Sequence, residues 1–400
     1  MKNILYVHFG DNWIRGSEQC LLQLIGSLET QRFCPIVWTN NPALHDKLIS
    51  QGVSSYLDSF TLMMGGYQPN FDVKNWLSLV LKGRTLIRNN TVDAIHVNSG
   101  APCQWMNLVA KYTKTPLVTQ LHSDYLLSDR FWLAIHLSPT VVTVSHAISE
   151  SLLSDGFPKQ RLEVIHNGIA NPSVITHQPS WVKDRLGIKH STLLFATVGS
   201  LIHRKGIDRL LNALVTLKTT LNPPHLLIIG DGELNQALQS LATHLKVDNQ
   251  VTFVGEQDNV AAWLQGGVDG FISGAREEAF GLVVAEAGLA QLPIIAPNIG
   301  GIPEFVTHNV SALLYDNDRE LLDCWQTLIE QYDTLAPKIS QQAHNYISNN
   351  LSIEANTHAL QRVYDVMISN QNNRQTSLFA AFRPLKTLAQ RYWTGVMHNA

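Results

Sequence analysis

Charged side chains are scarce in this sequence: Asp, Glu, Lys and Arg make up 15% of its 400 residues, and the net charge is -3 at pH 7. A chain without an excess of positive charge offers no broad cationic surface to a polyanion. We therefore expect no nucleic-acid partner. Hydrophobic residues account for 45%, an ordinary fraction for a globular protein, and a chain of this length is expected to form two or three domains.

Cysteine and histidine motifs are also missing. The four cysteines, Cys20, Cys34, Cys103 and Cys324, are scattered without a CxxC, and no HExxH occurs among the 16 histidines. Such spacing indicates free thiols in a reducing compartment rather than disulfides or a metal site. The first apolar run is too short for a signal peptide, and the sequence has no run of about 18 apolar residues. We therefore expect a cytoplasmic protein.

Short apolar runs alternate with helical patterns along most of the chain, which is typical of parallel sheets covered by helices. The alternation pauses at 171–180, where two prolines and no periodicity predict a linker, and it then restarts. The sequence thus predicts an α/β protein of two sheet domains. Its expected parts are an N-terminal domain at 1–172, a linker at 173–190, a C-terminal domain at 191–355, a helix at 356–373 and a tail at 374–400.

The tail from 374 to 400 contains four basic residues, Arg374, Arg383, Lys386 and Arg391, and no Asp or Glu. Apolar side chains recur among them at helical spacing. A basic amphipathic helix can lie on an anionic membrane surface, which would place the protein on the inner face of the cell membrane. The alternative is a C-terminal helix packed on the N-terminal domain, and the pattern leaves both open.

A first candidate binding segment follows the apolar run at 193–198. Gly199 and Ser200 end that run, and the adjacent cations Arg204 and Lys205 precede a helical pattern. Ligands of open α/β sheets bind at the carboxyl ends of the strands, where an arginine fork and a lysine charge can hold a diphosphate. The alternative is a solvated basic loop.

A second candidate is the turn Gly230-Asp231-Gly232-Glu233, which lies between an apolar run and a helical pattern. Glycines at such a turn let the backbone approach a nucleotide. The turn is not a complete dinucleotide fingerprint, because Gln236 lies near the place where a third glycine is needed. A tight strand-to-helix turn without a ligand explains the same residues equally well.

The most specific segment contains two glutamates, Glu278 and Glu286, separated by seven residues. The intervening Phe280-Gly281-Leu282 predicts a loop and the start of a helix, whose N-terminal amides would face an anion. Glu278 precedes the loop and can reach a sugar hydroxyl. Glu286 lies about one turn into an apolar helix, where a carboxylate needs a partner such as a ribose diol. Two solvated surface acids are the alternative.

These residues resemble the retaining glycosyltransferases of the GT-B fold, family 4, over most of the chain. Glu278 and Glu286 match the family's E-x7-E motif, and Lys205-Gly206 matches its diphosphate loop. The resemblance implies two Rossmann-like, doubly wound domains facing a cleft, with C-terminal helices packed back on the N-terminal domain. It places the donor's base and ribose near Glu286 and the turn at Asp231.

Two further matches lie in the N-terminal half. Arg15-Gly16-Ser17-Glu18 resembles the family's Gly-Gly-x-Glu loop over the acceptor and phosphates, although only Gly16 of the glycine pair is present. The segment 119–124 resembles the one whose histidine lies near the transferred sugar, which implies such a role for His122. The segment His96-Val-Asn-Ser99 lies at another strand end, and we expect it to line the acceptor cleft.

The sequence departs from the family at Ser200, where many members carry an arginine, and Arg204 beside Lys205 can supply the missing charge. An Asp-x-Asp at 316–318 matches the metal motif of another glycosyltransferase fold, but its context predicts a turn and a helix cap. We therefore expect no metal and no cofactor, with Lys205, Arg204 and the amides of Gly281 and Leu282 stabilising the leaving diphosphate.

The function that the resemblance implies is transfer of a sugar, with retention, from a nucleotide sugar to a glycan or lipid-linked acceptor, and the basic tail favours bacterial polysaccharide or lipopolysaccharide biosynthesis. UDP is expected as the donor nucleotide in preference to GDP or ADP. Three alternatives stay open: a sugar-nucleotide epimerase of the same fold, a non-catalytic sugar-nucleotide-binding partner protein, and a Rossmann oxidoreductase, which would need a complete glycine fingerprint.

Overall fold

The computed structural model describes residues 1–65, 71–171, 178, 180–219, 222–370, 377–387 and 389. The chain folds into two units. The first contains Met1–Gly168 and the chain from Ile353 onward, and the second contains Ile169–Ser352. The backbone therefore passes from one unit to the other twice.

The first unit is built on a parallel sheet, and its central strands are mostly apolar and almost without solvent exposure, as a sheet covered on both faces requires. The strand order is β3-β2-β1-β4-β5-β6-β7. The strands are β1 Lys2–His8, β2 Phe33–Thr39, β3 Ser54–Leu57, β4 Ala94–Val97, β5 Leu117–Leu121, β6 Thr140–Thr143 and β7 Leu162–Val164.

Helices connect these strands, and side-chain caps fix several of their starts. Asn41 accepts a hydrogen bond from the Leu44 amide at one helix start, and Ser145 accepts one from the Ile148 amide at another. The helices are α1 Gly16–Gly26, α2 Pro42–Ser50, α3 Val73–Asn89, α4 Cys103–Thr113, α5 Leu127–Trp132 and α6 His146–Ser154.

The second unit repeats this architecture. Its sheet is parallel with the order β10-β9-β8-β11-β12-β13. The strands are β8 Leu194–Val198, β9 His225–Ile229, β10 Val251–Phe253, β11 Gly270–Ile272, β12 Ile294–Pro297 and β13 Leu313–Tyr315. The helices are α7 Trp181–Leu186, α8 Ile207–Leu217, α9 Asn235–His244, α10 Val260–Gln265, α11 Leu282–Leu289, α12 Asp318–Glu330 and α13 Tyr332–Asn350.

Each sheet has one place where the strand order reverses, between β1 and β4 in the first unit and between β8 and β11 in the second. The connections on the two sides of such a point run in opposite directions, so a crevice opens at the carboxyl ends of the two strands. The prediction of two doubly wound α/β sheets is therefore confirmed, and the switch points mark where ligands are expected.

The last long helix, α14 Ile353–Ser369, belongs to the first unit. Its Leu360, Val363 and Tyr364 share a buried cluster with Tyr6 and Phe33. The C-terminal helix thus packs on the N-terminal sheet, as expected. Among the described residues, no helix is both long and apolar enough to cross a membrane.

Part of the stretch predicted as a linker, 173–190, is ordered structure of the second unit. It contains α7, where Val182 is fully buried and donates its amide to the Gly266 carbonyl at 2.7 Å. Residues 173–177 and 179 lie outside the described residues. The domain bounds expected from the sequence stay a prediction.

Candidate active site

The turns after β8 and β9, next to the switch point of the second unit, touch through their backbones. A Cβ on Gly230, whose φ is +135°, would lie 2.1 Å from the Gly199 carbonyl oxygen. A Cβ on Gly232 would lie 2.6 Å from the Leu201 carbonyl oxygen, and the Leu201 amide donates to the Asp231 carbonyl at 3.0 Å. Glycine is required here because no side chain fits. The first two predicted segments therefore meet.

The polar side chains of this turn face outward. Asp231 is exposed and accepts hydrogen bonds from the Gly232 amide at 2.7 Å and from the Asn235 amide group at 2.8 Å. Glu233 is also exposed, and Ser200 is half-buried. The predicted donor residues of both turns thus lie at one rim of the sheet.

A second pair of glycines joins the lysine loop to the segment that follows β11. Gly206 has a φ of +60°, and a Cβ there would lie 2.0 Å from the Gly274 carbonyl oxygen. A Cβ on Gly274 would lie 2.3 Å from the Gly206 carbonyl oxygen. This approach brings Lys205 to the carboxyl end of β11.

Lys205 and Glu278, predicted from separate motifs, form an ion pair. The Lys205 Nζ donates to the Glu278 Oε2 at 2.6 Å, and the two side chains are 20% and 15% exposed. The other oxygen of Glu278 accepts from the Ala279 amide at 3.2 Å. Gly300, with a φ of +56°, packs so closely on the Glu278 carbonyl that no Cβ fits. The pair is held on both sides and remains open to solvent.

Arg204 lies on the outer side of this loop. Its guanidinium donates to the Glu277 carbonyl at 3.2 Å, and its own carbonyl accepts from the Arg276 amide at 2.8 Å. These two contacts hold the loop of Arg204 against the segment 276–277. Arg204 therefore lies beside the Lys205–Glu278 ion pair and is not part of it.

Two arginines that the sequence analysis did not select support the site. Arg276 forms a double hydrogen bond with Asp208, at 2.8 and 2.6 Å. Arg209, on α8, donates to the carbonyls of Gly274 and Ala275 at 3.0 and 3.2 Å. The position of Arg276 inside the motif segment was the available signal, whereas nothing in the sequence distinguishes Arg209.

The predicted loop and helix after Glu278 are present. Gly281, with a φ of +102°, precedes α11, and a Cβ there would lie 2.9 Å from Ile302. Phe280 is buried with its ring 5.2 Å from that of Phe305. The first amides of α11, starting at Leu282, have no acceptor within the helix. A small pocket lined by Lys205, Glu278 and Gly281 lies beside them.

Glu286 lies one turn into α11 and keeps part of its surface exposed. Burial raises the pKa of this carboxyl to about 7. Within the described part of the chain, no residue donates a hydrogen bond to it or forms an ion pair with it. A desolvated carboxylate without a partner is costly, so Glu286 is suited to accept hydrogen bonds from hydroxyl groups of a ligand.

In the first unit, the switch point holds a buried pair that the sequence analysis did not propose. The His8 Nε2 lies 2.8 Å from the Glu18 Oε1, and a Cβ on Gly10 would come within 2.7 Å of both side chains. Burial alone would raise the pKa of Glu18, but the hydrogen bond and charge of His8 outweigh it and hold that pKa below its ordinary value.

Gly16 is the exposed first residue of α1. The Arg15 amide donates to the second oxygen of Glu18 at 3.1 Å, and the Arg15 guanidinium stacks on the exposed Trp13 ring at 4.1 Å. The loop with the single glycine is therefore anchored to the buried pair.

The pair continues to His122 through Asn98. The Asn98 amide nitrogen lies 3.0 Å from the His8 Nδ1, and its oxygen lies 3.0 Å from the His122 Nε2. Burial lowers the pKa of His122 to about 4, and the charge of His8 adds to this effect. His122 is therefore neutral at pH 7 and stands at the carboxyl edge of β5.

The expectation that the segment 96–99 lines the acceptor cleft is wrong for His96. This residue points into the core, where its Nδ1 lies 2.6 Å from the Tyr364 hydroxyl, and burial lowers its pKa to about 3. Successive side chains of a strand alternate between the two faces of the sheet, and β4 ends before Asn98. Asn98, from the same sequence segment, is the one that reaches the site.

The Asp-x-Asp sequence at 316–318 lies at the start of α12. Asn317 accepts from the Glu320 amide at 3.1 Å and caps the helix, as its context indicated. Asp318 pairs with Arg209. The helix cap and the ion pair give Asn317 and Asp318 structural roles at the start of α12.

Two family models match the chain in succession. "Glycosyltransferase Family 4" matches residues 14–170, and "Glycosyl transferases group 1" matches residues 182–345. Together they cover twelve of the thirteen described strands, all but β1, and every predicted site residue. The chain belongs to the GT-B glycosyltransferases of the family 4 type.

The names of the chain's curated relatives specify different substrates. The chain is 26% identical over 249 residues to N-acetyl-alpha-D-glucosaminyl L-malate synthase of Bacillus anthracis, covering 60% of this chain and 65% of that protein. It is 29% identical over 349 residues to a GDP-mannose-dependent alpha-(1-6)-phosphatidylinositol monomannoside mannosyltransferase of Mycobacterium tuberculosis, covering 76% and 86%. The matches span about half to two thirds of the first curated relatives' length.

Solved structures share the fold of this chain. A glycosyltransferase from Rickettsia africae superimposes with a TM-score of 0.78 at 21% identity, over 92% of this chain and 99% of that one. Alr3699/HepE of Anabaena, solved in complex with UDP, gives 0.77 at 20% identity, over 92% and 100%. These similarities establish the GT-B fold.

The described part of the tail packs on the first unit. A 3-10 turn at Leu378–Phe382 places the Phe382 ring 6.0 Å from that of Phe131, and the Thr387 hydroxyl donates to the Ser154 carbonyl at 3.4 Å. Of the four basic residues, Arg374 and Arg391 lie outside the described residues. The alternative of a packed C-terminal segment therefore holds for 377–387.

Proposed function

We propose that this chain is a retaining glycosyltransferase that moves a sugar from a nucleotide sugar to a glycan or lipid-linked acceptor in bacterial polysaccharide or lipopolysaccharide biosynthesis. The observation that carries the proposal is the Lys205–Glu278 pair beside the start of α11, at the switch point of the second unit. A cation and oriented backbone amides, which a diphosphate requires, lie there beside a carboxylate that can accept hydrogen bonds from sugar hydroxyls.

The donor is assigned by chemistry. Lys205, with Arg204 and the amides of Gly281 and Leu282, would hold the diphosphate, so that no metal ion is needed. Glu286 would accept hydrogen bonds from the ribose diol, and the turn Asp231-Gly232-Glu233 would border the base. Gly199 and Ser200, at the end of β8, would also contact the donor. Glu278 would accept from a sugar hydroxyl. We favour UDP, and the fold neighbour that binds UDP supports this choice.

The acceptor is expected at the first unit, near Gly16 and His122. The mannosyltransferase relative, whose name specifies a phosphatidylinositol acceptor, supports a lipid-linked substrate. A relative from Rhizobium meliloti named as a lipopolysaccharide core glycosyltransferase supports the biosynthetic role. These assignments would place the protein in the cytoplasm or on the inner face of the cell membrane.

Retention is explained by same-face attack. The acceptor oxygen bonds to the anomeric carbon while the bond from that carbon to the diphosphate breaks, and the departing phosphate oxygen takes the acceptor's proton. A double displacement needs a carboxylate behind the anomeric carbon, and Glu278 is assigned to the hydroxyls and to Lys205 instead. Oriented charges of this kind contribute several kcal/mol to the stabilisation of the transition state.

Thermal-shift binding tests the donor site. Wild type and Glu286→Ala are compared against UDP, GDP, ADP, NAD and their sugar conjugates. One nucleotide is expected to stabilise the wild type and to stabilise the variant less. A shift with NAD alone, or none at all, contradicts the proposal.

Product analysis with the stabilising sugar nucleotide then tests the reaction. Transfer predicts a new glycoside whose anomeric configuration by NMR equals that of the donor, and inversion of that configuration contradicts retention. An epimerase would convert the donor without an acceptor. A non-catalytic binding protein would bind the donor without turnover.

A further inference from the structure

Helix α3 in the first unit has an exposed apolar stripe opposite its buried face. Val73, Leu77 and Leu81 are 55%, 50% and 61% exposed. They recur every fourth residue and therefore lie on one side of the helix. The opposite side is held by packing, since a Cβ on Gly83 would lie 3.3 Å from Trp38. Three neighbouring aliphatic side chains thus face outward, although the helix already packs against the core through its opposite side.

The same stripe carries positive charge. Arg84 and Arg88 continue its helical spacing, at positions i+11 and i+15 from Val73, and Lys74 adjoins it. The helix Val73–Asn89 contains four basic residues and no Asp or Glu. Its fourth basic residue, Lys82, pairs with Asp58 on another side of the helix. The exposed stripe is therefore both apolar and cationic.

Helix α4 extends this surface. The Arg84 guanidinium stacks on the Tyr112 ring at 4.8 Å, and Tyr112 is 68% exposed. Lys111 and Lys114 flank that ring and are exposed. No Asp or Glu occurs anywhere from residue 94 to 123, although the whole chain has a net charge of -3. The positive charge is therefore concentrated locally.

Acidic groups near α3 are engaged in structural contacts. Asp72 caps the helix by accepting from the Asn75 amide at 3.0 Å. Asp58 accepts from Lys82 and from the Trp38 indole. Among the described residues, neither forms an ion pair with Lys74, Arg84 or Arg88, so these cations remain available to an external anionic partner.

We propose that this surface lies on an anionic lipid bilayer. We name it the α3–α4 face, and it is defined by Val73, Lys74, Leu77, Leu81, Arg84, Arg88 and Tyr112. Aliphatic side chains can enter the boundary between headgroups and acyl chains, while the long basic side chains reach lipid phosphates. An amphipathic aromatic ring at the edge suits the same interface.

The α3–α4 face does not depend on the tail or on the proposed reaction. The described tail residues contact α5 and α6, and the site residues of the first unit follow β1, β4 and β5. Loss of lipid binding and loss of transfer are therefore separate outcomes.

Co-sedimentation of the full chain with lipid vesicles tests the proposal. Vesicles of phosphatidylcholine alone are compared with vesicles containing phosphatidylglycerol, for wild type and for the double variant Leu77→Glu, Leu81→Glu. The matched control is Ile49→Glu, which places a glutamate at an aliphatic residue of α2 that is 52% exposed. Helix α2 packs in the cluster with α1 and α14, away from α3.

Wild type and the control are expected to bind the phosphatidylglycerol vesicles, and the double variant to bind more than about tenfold more weakly. Binding should also fall at high salt, because the headgroup attraction is screened. Equal binding by the double variant would place the contact elsewhere, including the tail, and overturns the proposal. Absence of wild-type binding, or equal binding to phosphatidylcholine alone, also overturns it.

A second variant keeps the test valid if the glutamates disturb the fold. Lys74→Gln with Arg88→Gln removes two exposed cations and leaves the aliphatic residues in place. It is expected to weaken binding to phosphatidylglycerol vesicles by more than about tenfold while the circular dichroism spectrum stays unchanged. An unchanged affinity would contradict the proposed role of these charges.

Discussion

The His8 imidazole and the Glu18 carboxylate lie 2.8 Å apart with side-chain exposures of 1% and 4%, and only a glycine at position 10 leaves room for them. Such a pair is expensive to break, because removal of one partner leaves a buried polar group without its bond. It joins the end of β1 to the first turn of α1, and Asn98 continues the contact to His122.

Glu18→Gln is predicted to lower the free energy of unfolding by about 1–3 kcal/mol at neutral pH. The pKa of Glu18 lies below its ordinary 4.5, so this carboxylate stabilises the fold above that value. The contribution is lost as the pH falls through the lowered pKa. Thermal unfolding midpoints of both proteins should therefore converge in acid, and a constant difference at every pH would contradict this.

His122→Ala is predicted to reduce kcat by about a hundredfold, the usual effect of removing one oriented polar group from an active site. His358→Ala, an exposed position in the same unit, is the control and should keep its rate.

Because the pKa of His122 is lowered from 6.5 to about 4, the folded state binds fewer protons than the unfolded state, and the stability of the fold should decrease as the pH drops through that window. An NMR titration of the imidazole with a midpoint near 6.5 would contradict this.

Lys205→Met and Glu278→Gln are each predicted to lower kcat by at least about a hundredfold, since both groups contact the reacting sugar diphosphate in the proposed complex. Lys189→Met removes an exposed cation of the same unit and serves as the control. The assignment of Glu278 to the sugar fails if its variant loses no more than about tenfold. Initial rates with saturating donor make this measurement.

Affinity for the nucleotide sugar is predicted to fall as the pH drops below about 7, because Glu286 then gains a proton and loses its negative charge, which weakens the hydrogen bonds that it accepts. Glu286→Gln should bind more weakly and without this pH dependence. Isothermal titration should use the nucleotide sugar rather than the free nucleotide, whose terminal phosphate titrates in the same range. A wild-type affinity that is constant from pH 6 to 8 would contradict the ribose contact.

A chelator is predicted to leave the transfer rate unchanged, since Lys205, Arg204 and the amides at the start of α11 would stabilise the leaving diphosphate in place of a cation. Assays with and without EDTA, after dialysis against it, give the answer. Activity that disappears and returns with added magnesium or manganese would show that these groups are insufficient.

Local patterns allowed the sequence to predict much of the second-unit site. Glu278, Gly281 and Glu286 lie within one loop and helix, so their spacing alone sets their geometry. Contacts between segments that are distant in the sequence could not be predicted from local spacing. His8 ends β1, and Asn98 and His122 directly follow β4 and β5. These residues meet only because the strands lie in the order β1-β4-β5, which no sequence spacing reveals.

His96 shows a second limit. A polar residue near a strand end can face either side of the sheet, and the apolar segment gave no alternation to choose between them. The structure turns His96 toward Tyr364 of α14, a residue more than 250 positions away. The sequence contains no local signal for such a partner.

The return of α14 to the first sheet affects how the chain can mature on a ribosome. Residues 1–168 leave the ribosome first, but the rings of Tyr6 and Phe33 pack against Tyr364 only after Tyr364 has been synthesised. Residues 169–352 form a continuous segment that does not wait for later sequence. The unit that begins the chain is therefore the last to be completed, and until then the part of its sheet that α14 covers is exposed to chaperones and proteases.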